Sequence, residues 1–499
     1  MNQLFYGDNL EVLKKLKNDS VDLIYLDPPF NSKRNYNIFF PTPDGSFNKA
    51  QTIAFSDFWK WDDYTAKVYD DFMQGEANTQ IKDFLTALKS FLAESDMMSY
   101  LVNISARLNL LKKVLKPKGT IFLHCDPTAS HYIKLIMDNI FGVKNFRNEI
   151  IWCYRGGGVS KKDFAKKHDV IFRYSKTKDY FFNVDPVRIP YSEASAERLK
   201  NSKAKAFRGD KVYDSYKPNE KGKHPEDWWE IQPLSSSDPE RTGYPTQKPR
   251  RLLSRIIKSS TQKGDTVLDP FAGCGTSIHV AEELGLNWIG IDITCLSINI
   301  IKNNIENAFP KCDFKVRGLP KTKRDLDNML NEVKEIGSDK WYEFQHWAVN
   351  NIPGAQDYVK KSDGSIKKGA DGGIDGLIFI KTFDSRDSYK KILISVKGGK
   401  NIGVKEVREF NRTVEKNNAL GGIFISTREP TKEMTKEALS VGMYKINNKK
   451  FNKMMLVNSF DFLDKKFNLD IPQSNIDPAS SIPRSRDDSE KQLDFGLIQ

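Results

Sequence analysis

Length, composition and charge limit the classes of protein to which this chain can belong. The 499 residues are enough for two or three domains with their own cores, and 39% hydrophobic with 29% charged residues is typical of a soluble globular protein. Lys and Arg outnumber Asp and Glu by 78 to 65, and the resulting net charge of +13 favours a polyanionic partner such as nucleic acid.

The N-terminal part of the chain alternates between apolar runs and helical patterns. Residues 21–30 (VDLIYLDPPF) predict a buried strand, and residues 97–115 carry apolar side chains at helical spacing. Residues 119–126 (GTIFLHCD) predict the next strand, and residues 131–142 predict the next helix. This order predicts an α/β fold in which helices cover both faces of a largely parallel sheet.

The pattern changes twice further along the chain. It fades between about residues 180 and 241, which are polar, aromatic and rich in lysine, so we expect a small inserted module there. Residues 264–276 (GDTVLDPFAGCGT) and 281–293 then predict a strand, a glycine-rich turn, a helix and a second strand. We therefore expect one domain over residues 1–318.

The C-terminal part predicts a separate domain. We expect a charged linker that can be helical over residues 319–340, a second α/β domain over 341–465 and a disordered tail over 466–499. Five cysteines without a C-x-x-C pair exclude a zinc ribbon and favour a reduced chain. Because we find no signal peptide and no apolar run of ~18 residues, we expect a location in the cytoplasm of a prokaryotic or phage-infected cell.

The segment Asp27-Pro28-Pro29-Phe30 lies at the carboxyl end of the first predicted strand, where α/β sheets bind their ligands. An exocyclic amine is a weak nucleophile, and an enzyme activates it by accepting hydrogen bonds from its two N–H groups. Asp27 can supply one acceptor and the Pro28 carbonyl, fixed by two prolines, the other. Phe30 could stack on a base swung out of the helix. The alternative is a strand that ends in an ordinary Pro-Pro turn.

The second motif is Asp269-Pro270-Phe271-Ala272-Gly273-Cys274-Gly275-Thr276. Its glycines allow the main chain to approach a ligand closely, and Asp292, which ends the following predicted strand, could hold two ribose hydroxyls. A dinucleotide enzyme has a similar turn, but Ile278 stands where the third glycine of its fingerprint is expected.

Together the two motifs resemble the circularly permuted β class of bacterial DNA amino-methyltransferases, in which D-P-P-[YF] precedes the cofactor loop and a target-recognition insert lies between them. Segments that begin at Tyr6, Gly119, Asn148, Lys167 and Tyr244 also resemble this class. The resemblance covers residues 1–318 and implies transfer of a methyl group from S-adenosylmethionine to a flipped base in double-stranded DNA. It assigns cofactor binding to Asp8, Lys248, Asp269, Phe271, Gly273, Gly275, Thr276 and Asp292.

The same resemblance bears on the base that is methylated. In this class D-P-P-[YF] accompanies N6-adenine more often, and S-P-P accompanies N4-cytosine, so Asp27 favours adenine. C5-cytosine methylation needs a cysteine after a proline, which this chain lacks. Trp228 and Trp229 in the insert either contact DNA or form a small core.

The C-terminal domain resembles the Mrr-like restriction-endonuclease fold, whose catalytic pattern is D…[EQ]-x-K. The resemblance implies that Asp375 holds Mg²⁺, that Lys397 acts on the attacking water or the phosphate, and that Glu343 adds a carboxylate. Ser395, however, occupies the position of the usual Glu or Gln. The alternative is a nuclease-derived fold that is kept for binding DNA.

Three functional classes remain open from the sequence. The first is a methyltransferase that also cuts DNA, so that one chain carries restriction and modification. The second is a methyltransferase with an inactive DNA-binding appendage, and the third is a regulator that retains both folds without catalysis. The intact residues 27–30 and 269–276 count against the third class. The enzyme could also act as a homodimer.

Overall fold

A computed structural model of the chain divides into two compact units. The first comprises Met1–Tyr36, Ala54–Leu234 and Thr246–Leu319. The second comprises Asn37–Ile53, Ser235–Pro245 and Pro320–Gln499. The described residues are 2–29, 35–41, 47–56, 59, 61–156, 162–195, 197, 206–208, 211–213, 219–235, 237–242, 244, 246–336, 338–357, 373–381, 389–399, 402–446, 449–464, 467 and 469–472. Within these ranges, no helix is both long and apolar enough to cross a membrane.

The first unit is built on a nine-stranded sheet. Its helices are α1 (Asn9–Leu13), α2 (Asp63–Gln74), α3 (Thr79–Leu92), α4 (Asp96–Val114), α5 (Pro127–Phe141), α6 (Arg250–Ser260), α7 (Thr276–Glu283) and α8 (Cys295–Ala308). The strands of the sheet are β1 (Asn2–Tyr6), β2 (Val21–Leu26), β5 (Leu115–Cys125), β6 (Phe146–Cys153), β7 (His168–Ser175), β10 (Trp228–Glu230), β11 (Thr266–Asp269), β12 (Asn287–Asp292) and β13 (Phe314–Arg317). Three-residue 3₁₀ turns cover Val143–Asn145 and Asp185–Val187.

The strand order is β10-β6-β7-β5-β2-β11-β12-β1-β13. Strand β7 pairs antiparallel with both of its neighbours, and the other neighbouring strands pair parallel. Two short hairpin sheets, β3 (Asn35–Pro41) with β4 (Phe47–Ser56) and β8 (Ala206–Arg208) with β9 (Lys211–Tyr213), stand apart from it. Strands β2 and β11 are therefore neighbours although more than 200 residues separate them.

Apolar helix faces cover both sides of the sheet, as the sequence pattern predicts. One core contains buried side chains of α1 to α5, including Leu85, Leu108 and Ile133. A second core contains those of α6 to α8 with Trp288 and Trp229. Strands β2 and β5 are buried on both faces, which explains why their sequences are almost continuously apolar. The predicted α/β class is confirmed.

The second unit contains a smaller mixed sheet. Its helices are α9 (Lys323–Ile336), α10 (Ser338–Asn350), α11 (Val404–Lys416) and α12 (Lys432–Ser440), with a 3₁₀ turn at Ser459–Leu463. The strands are β14 (Ala355–Asp357), β15 (Gly376–Lys381), β16 (Tyr389–Lys397), β17 (Gly421–Ser426) and β20 (Met454–Asn458), paired in that order, and a hairpin of β18 (Met443–Ile446) and β19 (Lys449–Asn452). Strands β16, β17 and β20 are parallel, whereas β14 and β15 pair antiparallel.

Two segments outside the main predicted elements contain regular structure. Residues 319–340, expected to be a linker that can be helical, contain helix α9, and its Leu326 and Met329 are buried. Strand β10, inside the expected insert, pairs with β6 and so extends the main sheet. Phe30 and residues 473–499 of the expected tail lie outside the described residues.

Candidate active site at the carboxyl edge of the large sheet

The two motifs meet at the carboxyl edge of the nine-stranded sheet. Val267 pairs with Leu23 and Leu268 with Ile24, so that β11 and β2 end side by side. Asp27 directly follows β2, and Asp269 is the last residue of β11. Because parallel strands end at a common edge, the fold brings together two aspartates that are 242 positions apart in the sequence.

Asp27 lies between a cation and an imidazole ring. The Lys248 ammonium contacts its Oδ2 atom, and His124 Nδ1 lies 3.8 Å from its Oδ1 atom. The Asp27 side chain is 18% exposed, whereas His124 is fully buried. The resemblance assigned Lys248 to the cofactor, but in this structure its partner is the predicted catalytic carboxylate. Asp27 is thus held by protein groups and still open to solvent.

His124 ends a short chain of polar groups across the edge. Its Nε2 atom lies 3.2 Å from Asp169 Oδ2, and its Nδ1 atom lies 3.2 Å from the Tyr25 hydroxyl. The Trp152 ring packs edge-on against the imidazole, with 5.4 Å between centroids. Burial and the neighbouring carboxylates, Asp27 first, raise the pKa of Tyr25, so this phenol stays neutral.

Asp169 itself is held ionised by its neighbours. Burial alone would raise its pKa, but the hydrogen bond and charge of His124, followed by the charge of Lys248, outweigh burial and lower it. Tyr154 donates a hydrogen bond of 3.4 Å to the other carboxylate oxygen. Trp152 and Asp169 belong to the segments beginning at Asn148 and Lys167 that resemble the methyltransferase class, and both contact His124, the neighbour of Asp27.

The backbone after Asp27 is also held in place. Trp59 donates from its indole nitrogen to the Pro29 carbonyl at 3.2 Å, and its ring packs edge-on against buried Tyr100 at 5.6 Å. Pro28 is buried. The proline pair is therefore fixed by its own rings and by an aromatic anchor.

The second motif forms a turn around the buried Asp269 carboxyl. Its Oδ1 atom accepts a hydrogen bond from the Phe271 amide at 3.0 Å, and the Ser277 hydroxyl contacts Oδ2. Burial raises the pKa of Asp269 to about 7. The two hydrogen bonds lower this pKa but only partly offset burial, and the charges of Asp27 and Asp292 raise it further. A positive ligand beside this carboxyl would favour its ionised form.

The glycines of the turn allow the backbone to come close to its surroundings. Gly275 caps α7 with φ 81°, and a Cβ atom there would lie 2.8 Å from the Ile301 side chain. Gly273, with φ 52°, donates its amide to Asp292 Oδ2 at 2.9 Å. Thr276 begins α7, and its hydroxyl lies 3.5 Å from the sulfur of Cys274.

Asp292 and Asp8 end neighbouring segments of the same edge. Asp292 Oδ1 accepts from the Thr294 amide and hydroxyl at 2.9 and 3.0 Å, and burial raises the pKa of this carboxyl. Asp8 caps α1 and accepts from Tyr64 at 2.5 Å and from Arg107 at 2.9 Å. Burial opposes the charge of Arg107 at Asp8, and the net effect is a lowered pKa.

Arg107 is a buried cation that the sequence reasoning missed. It projects from α4 and donates to Asn9 at 2.5 Å and to the Asn103 side chain at 3.1 Å, besides Asp8. Asn9 in turn donates to the Pro270 carbonyl of the glycine-rich turn at 2.7 Å. The available signal was an arginine between the apolar residues Ala106 and Leu108 of this helix. His124, a polar residue at the end of a buried strand, was another.

The two insert tryptophans have different environments. Trp229 is buried, donates to the Glu226 carbonyl at 2.8 Å and lies under the Arg255 guanidinium at 5.2 Å. Trp228, its neighbour on β10, is 58% exposed. Trp229 is therefore a core residue, and Trp228 is the one that can contact a partner.

The second unit places its predicted nuclease residues around the start of β15. Asp375 Oδ1 accepts from Gln345 at 2.8 Å, and Oδ2 accepts from the Val396 amide at 2.6 Å. A Cβ atom on Gly373 would lie 2.7 Å from Lys397 Nζ and 3.6 Å from Ser395 Oγ. Asp375, Lys397 and Ser395 are thus neighbours, and Glu343 lies on α10 two positions before Gln345.

These residues do not make a good Mg²⁺ site. Both oxygens of Asp375 accept hydrogen bonds from the protein, and Ser395, which is buried, adds no negative charge. Its hydroxyl oxygen has no hydrogen-bond partner. In the described part of the chain, no three side chains of Asp, Glu, His or Cys are grouped so that they could hold a metal ion.

Comparisons with known proteins agree with the two-unit architecture. A family model for N6/N4 DNA methylases matches residues 21–303, and a restriction endonuclease model matches residues 338–455. Among relatives, the Type II methyltransferase M.HpaI of Haemophilus parainfluenzae is 26% identical over 346 residues, which are 69% of this chain and 87% of that protein. The DNA adenine methyltransferase YhdJ of Escherichia coli K12 is 27% identical, and the match covers 67% of this chain and 91% of that protein.

Solved structures with some similarity include the cytosine-N4-specific PvuII DNA methyltransferase. It has 15% identity and a TM-score of 0.38 and covers 66% of this chain and 92% of its own. The complex of M1.HpyAVI with SAM has 18% identity and a TM-score of 0.35, and the match covers 61% of this chain and 99% of that one. The family match spans more than half of the 499 residues: the chain belongs to the N6/N4 DNA methylase family and carries a restriction-endonuclease-like domain at its C-terminal side.

Proposed function

We propose that the protein methylates N6 of adenine in double-stranded DNA with S-adenosylmethionine as the methyl donor. The observation that carries this proposal is the juxtaposition of Asp27 and Asp269 on neighbouring strands β2 and β11. One carboxylate is partly exposed and can accept from an amine, and the other forms the base of a glycine-rich turn. A bacterial cytoplasmic location and a homodimer remain expectations.

Asp27 would activate the target amine by accepting one N–H at Oδ1, because Oδ2 is held by Lys248. The Pro28 carbonyl would accept the other N–H, so that the amine nitrogen gains the tetrahedral shape it needs to attack. The reacting base would have to leave the duplex stack to reach this buried edge. Phe30 and Trp152 are the aromatic candidates for holding the flipped base.

The residues of the edge fit the expected cofactor. S-adenosylmethionine would supply a methyl group on a positively charged sulfur. Asp269, whose pKa is about 7, can balance positive charge there, and the close packing of Gly275 leaves no room for a side chain beside the turn. Asp292 and Asp8 are the acidic candidates for the ribose and for the amino group of the donor. Phe271, Gly273 and Thr276 would contact it from the same turn.

Adenine is favoured over cytosine by the Asp in D-P-P-F and by the similarity to an adenine methyltransferase. The test is to incubate the full-length protein with labelled S-adenosylmethionine and unmethylated DNA and to identify the labelled nucleoside. N6-methyladenine supports the proposal. N4-methylcytosine keeps the chemistry but overturns the choice of base, and no label despite bound cofactor overturns both.

For the C-terminal domain, the alternatives are DNA binding and DNA cleavage. We favour DNA binding without cleavage, because Ser395 replaces the expected Glu or Gln and both Asp375 oxygens already accept from protein donors. Incubating unmethylated plasmid with the protein and Mg²⁺ should leave it intact. Strand breaks that disappear in both Asp375→Ala and Lys397→Ala would establish cleavage and contradict this view.

A further inference from the structure

The environment of His124 is unusual for a buried histidine. The ring is fully buried and lies between two carboxylates, Asp169 at 3.2 Å from Nε2 and Asp27 at 3.8 Å from Nδ1. Both carboxylates are partly exposed, at 17% and 18%, so the imidazole bridges two positions that water can reach. A histidine that only filled core space would not need an acidic group at each end.

The hydrogen-bond partners determine which ring nitrogen carries the proton. Nε2 of His124 lies 3.2 Å from Asp169 Oδ2, and the oxygens of a carboxylate can only accept, so Nε2 donates to Asp169. Nδ1 of a neutral ring then has a lone pair, which can accept from the Tyr25 hydroxyl at 3.2 Å. The basic nitrogen of His124 therefore faces Asp27.

We propose that Asp169 and His124 form a proton relay that removes, through Asp27, the proton lost by the target amine during methylation. This inference rests on the proposed function. His124 and Asp169 act through Asp27 and do not touch the base, so they are positioning residues.

In the proposed reaction, the transferred methyl group and the released proton each have a defined destination. As the amine nitrogen forms its bond to the methyl carbon, the carbon–sulfur bond breaks and its electron pair stays on sulfur. The nitrogen then carries a positive charge and releases one proton to Asp27 Oδ1. That proton passes to Nδ1 of His124, and the resulting imidazolium is stabilised by Asp169. The proton on Nε2 can leave by way of Asp169 to water.

The cation beside Asp27 cannot take the proton. Lys248 contacts Asp27 Oδ2, but an ammonium group has no lone pair and cannot take the proton. The 3.8 Å separation between Asp27 and His124 is longer than a hydrogen bond, and such distances in ligand-free sites commonly shorten when the reactants bind. Tyr25 can turn its hydroxyl hydrogen away and accept from Nδ1–H once the ring is charged.

The test measures single-turnover methyl transfer by the full-length protein in mixtures of H₂O and D₂O. His124→Asn and Asp169→Asn should each slow transfer by about 100-fold, within the usual range for lost acid–base assistance. The wild-type rate should fall in D₂O along a curved line, because more than one proton moves. In His124→Asn the line should become straight, since only the proton to Asp27 still moves.

Controls separate this role from a structural one. His131→Asn, at an exposed position of α5, should behave as wild type. Cofactor affinity and thermal unfolding report whether each variant folds, and Asp169→Asn, which is isosteric and partly exposed, replaces His124→Asn if the latter does not. A folded variant within threefold of wild type, an unchanged curved line, or a wild-type rate insensitive to D₂O overturns the relay. A wild-type protein with no transfer instead overturns the proposed function.

Discussion

The two units both place an aspartate beside a lysine where strands of a sheet meet, yet the surroundings of the two aspartates differ. Asp27 is partly exposed, with Lys248 on one oxygen and an imidazole near the other. Asp375 has one oxygen bonded to a backbone amide and the other to Gln345, and the neighbouring Ser395 is buried and uncharged. Asp27 can therefore accept a hydrogen bond from a substrate, whereas both oxygens of Asp375 accept hydrogen bonds from the protein.

This difference shows that the groups around a motif determine whether its residues can take part in catalysis. Asp27 in D-P-P-F lies at one end of a chain of polar contacts formed by Lys248, His124, Asp169 and Tyr25. In the D…S-x-K pattern the Val396 amide donates to Asp375, but Ser395 stands where Glu or Gln is expected. A domain can therefore keep a fold without keeping every catalytic residue of that fold.

The largest effect that we expect on the first unit is on stability, from Arg107→Met. Arg107 is 7% exposed and neutralises Asp8, so its loss leaves a largely buried carboxylate without a cationic partner and should lower the free energy of unfolding by about 3 kcal/mol. Urea denaturation of the full-length protein measures this. The exposed Arg408, paired with Glu437 in the second unit, is the matched control, and Arg408→Met should change stability little. Equal losses in the two variants would contradict the distinction.

Asp269 should make stability depend on pH. Its pKa is about 7 in the folded protein against 3.8 in the unfolded chain, so the folded state retains a proton that the unfolded state releases. Its contribution therefore falls as pH rises from about 4 to about 7, by about 2 kcal/mol between pH 5 and pH 7. The stability of Asp269→Asn should lack this slope, so that the difference in free energy of unfolding between wild type and variant changes with pH. Parallel curves for the two proteins would show that Asp269 ionises normally.

Lys248→Met separates two roles for this lysine. Because its ammonium contacts Asp27, we expect kcat to fall by about tenfold with little change in cofactor affinity, the pattern of a group that acts in the transition state. Steady-state kinetics with titrated S-adenosylmethionine measures both quantities. A large rise in KM for the cofactor with unchanged kcat would instead support the role that the resemblance assigned.

Asp375→Ala tests the second unit and should have the smallest effect on methylation. Because Asp375 and Asp27 belong to separate compact units, methyl transfer should stay within about twofold of wild type. The same labelled-methyl assay measures it, with Asp375→Asn as an isosteric comparison. A tenfold loss in both variants would show that the two units are energetically coupled.

Much of the fold follows from the sequence because its signals are local. Continuous apolar strands and periodic helices indicate a sheet buried on both faces, and Asp27 and Asp269 each follow a predicted strand. The order of the strands is not local. Nothing near Asp27 indicates that β11 is its neighbour, and only the resemblance linked the two motifs.

The residues that were missed act through distant partners. His124 appeared in the sequence as one polar residue at the end of a strand, and its role depends on Asp169 and Tyr25, which are 45 and 99 positions away. Lys248 was assigned to the cofactor, but its partner Asp27 is 221 positions away. Side-chain pairing over such separations is decided by tertiary packing, which no local pattern records.

The measurement that tests the central claim most directly is methyl transfer to DNA by Asp27→Asn beside wild type, with cofactor affinity measured in parallel. Asn keeps the shape of Asp27 but replaces one accepting oxygen by a donor, so transfer should fall by about a thousandfold while cofactor binding stays near wild type. Turnover within tenfold of wild type would contradict the account and place the chemistry elsewhere.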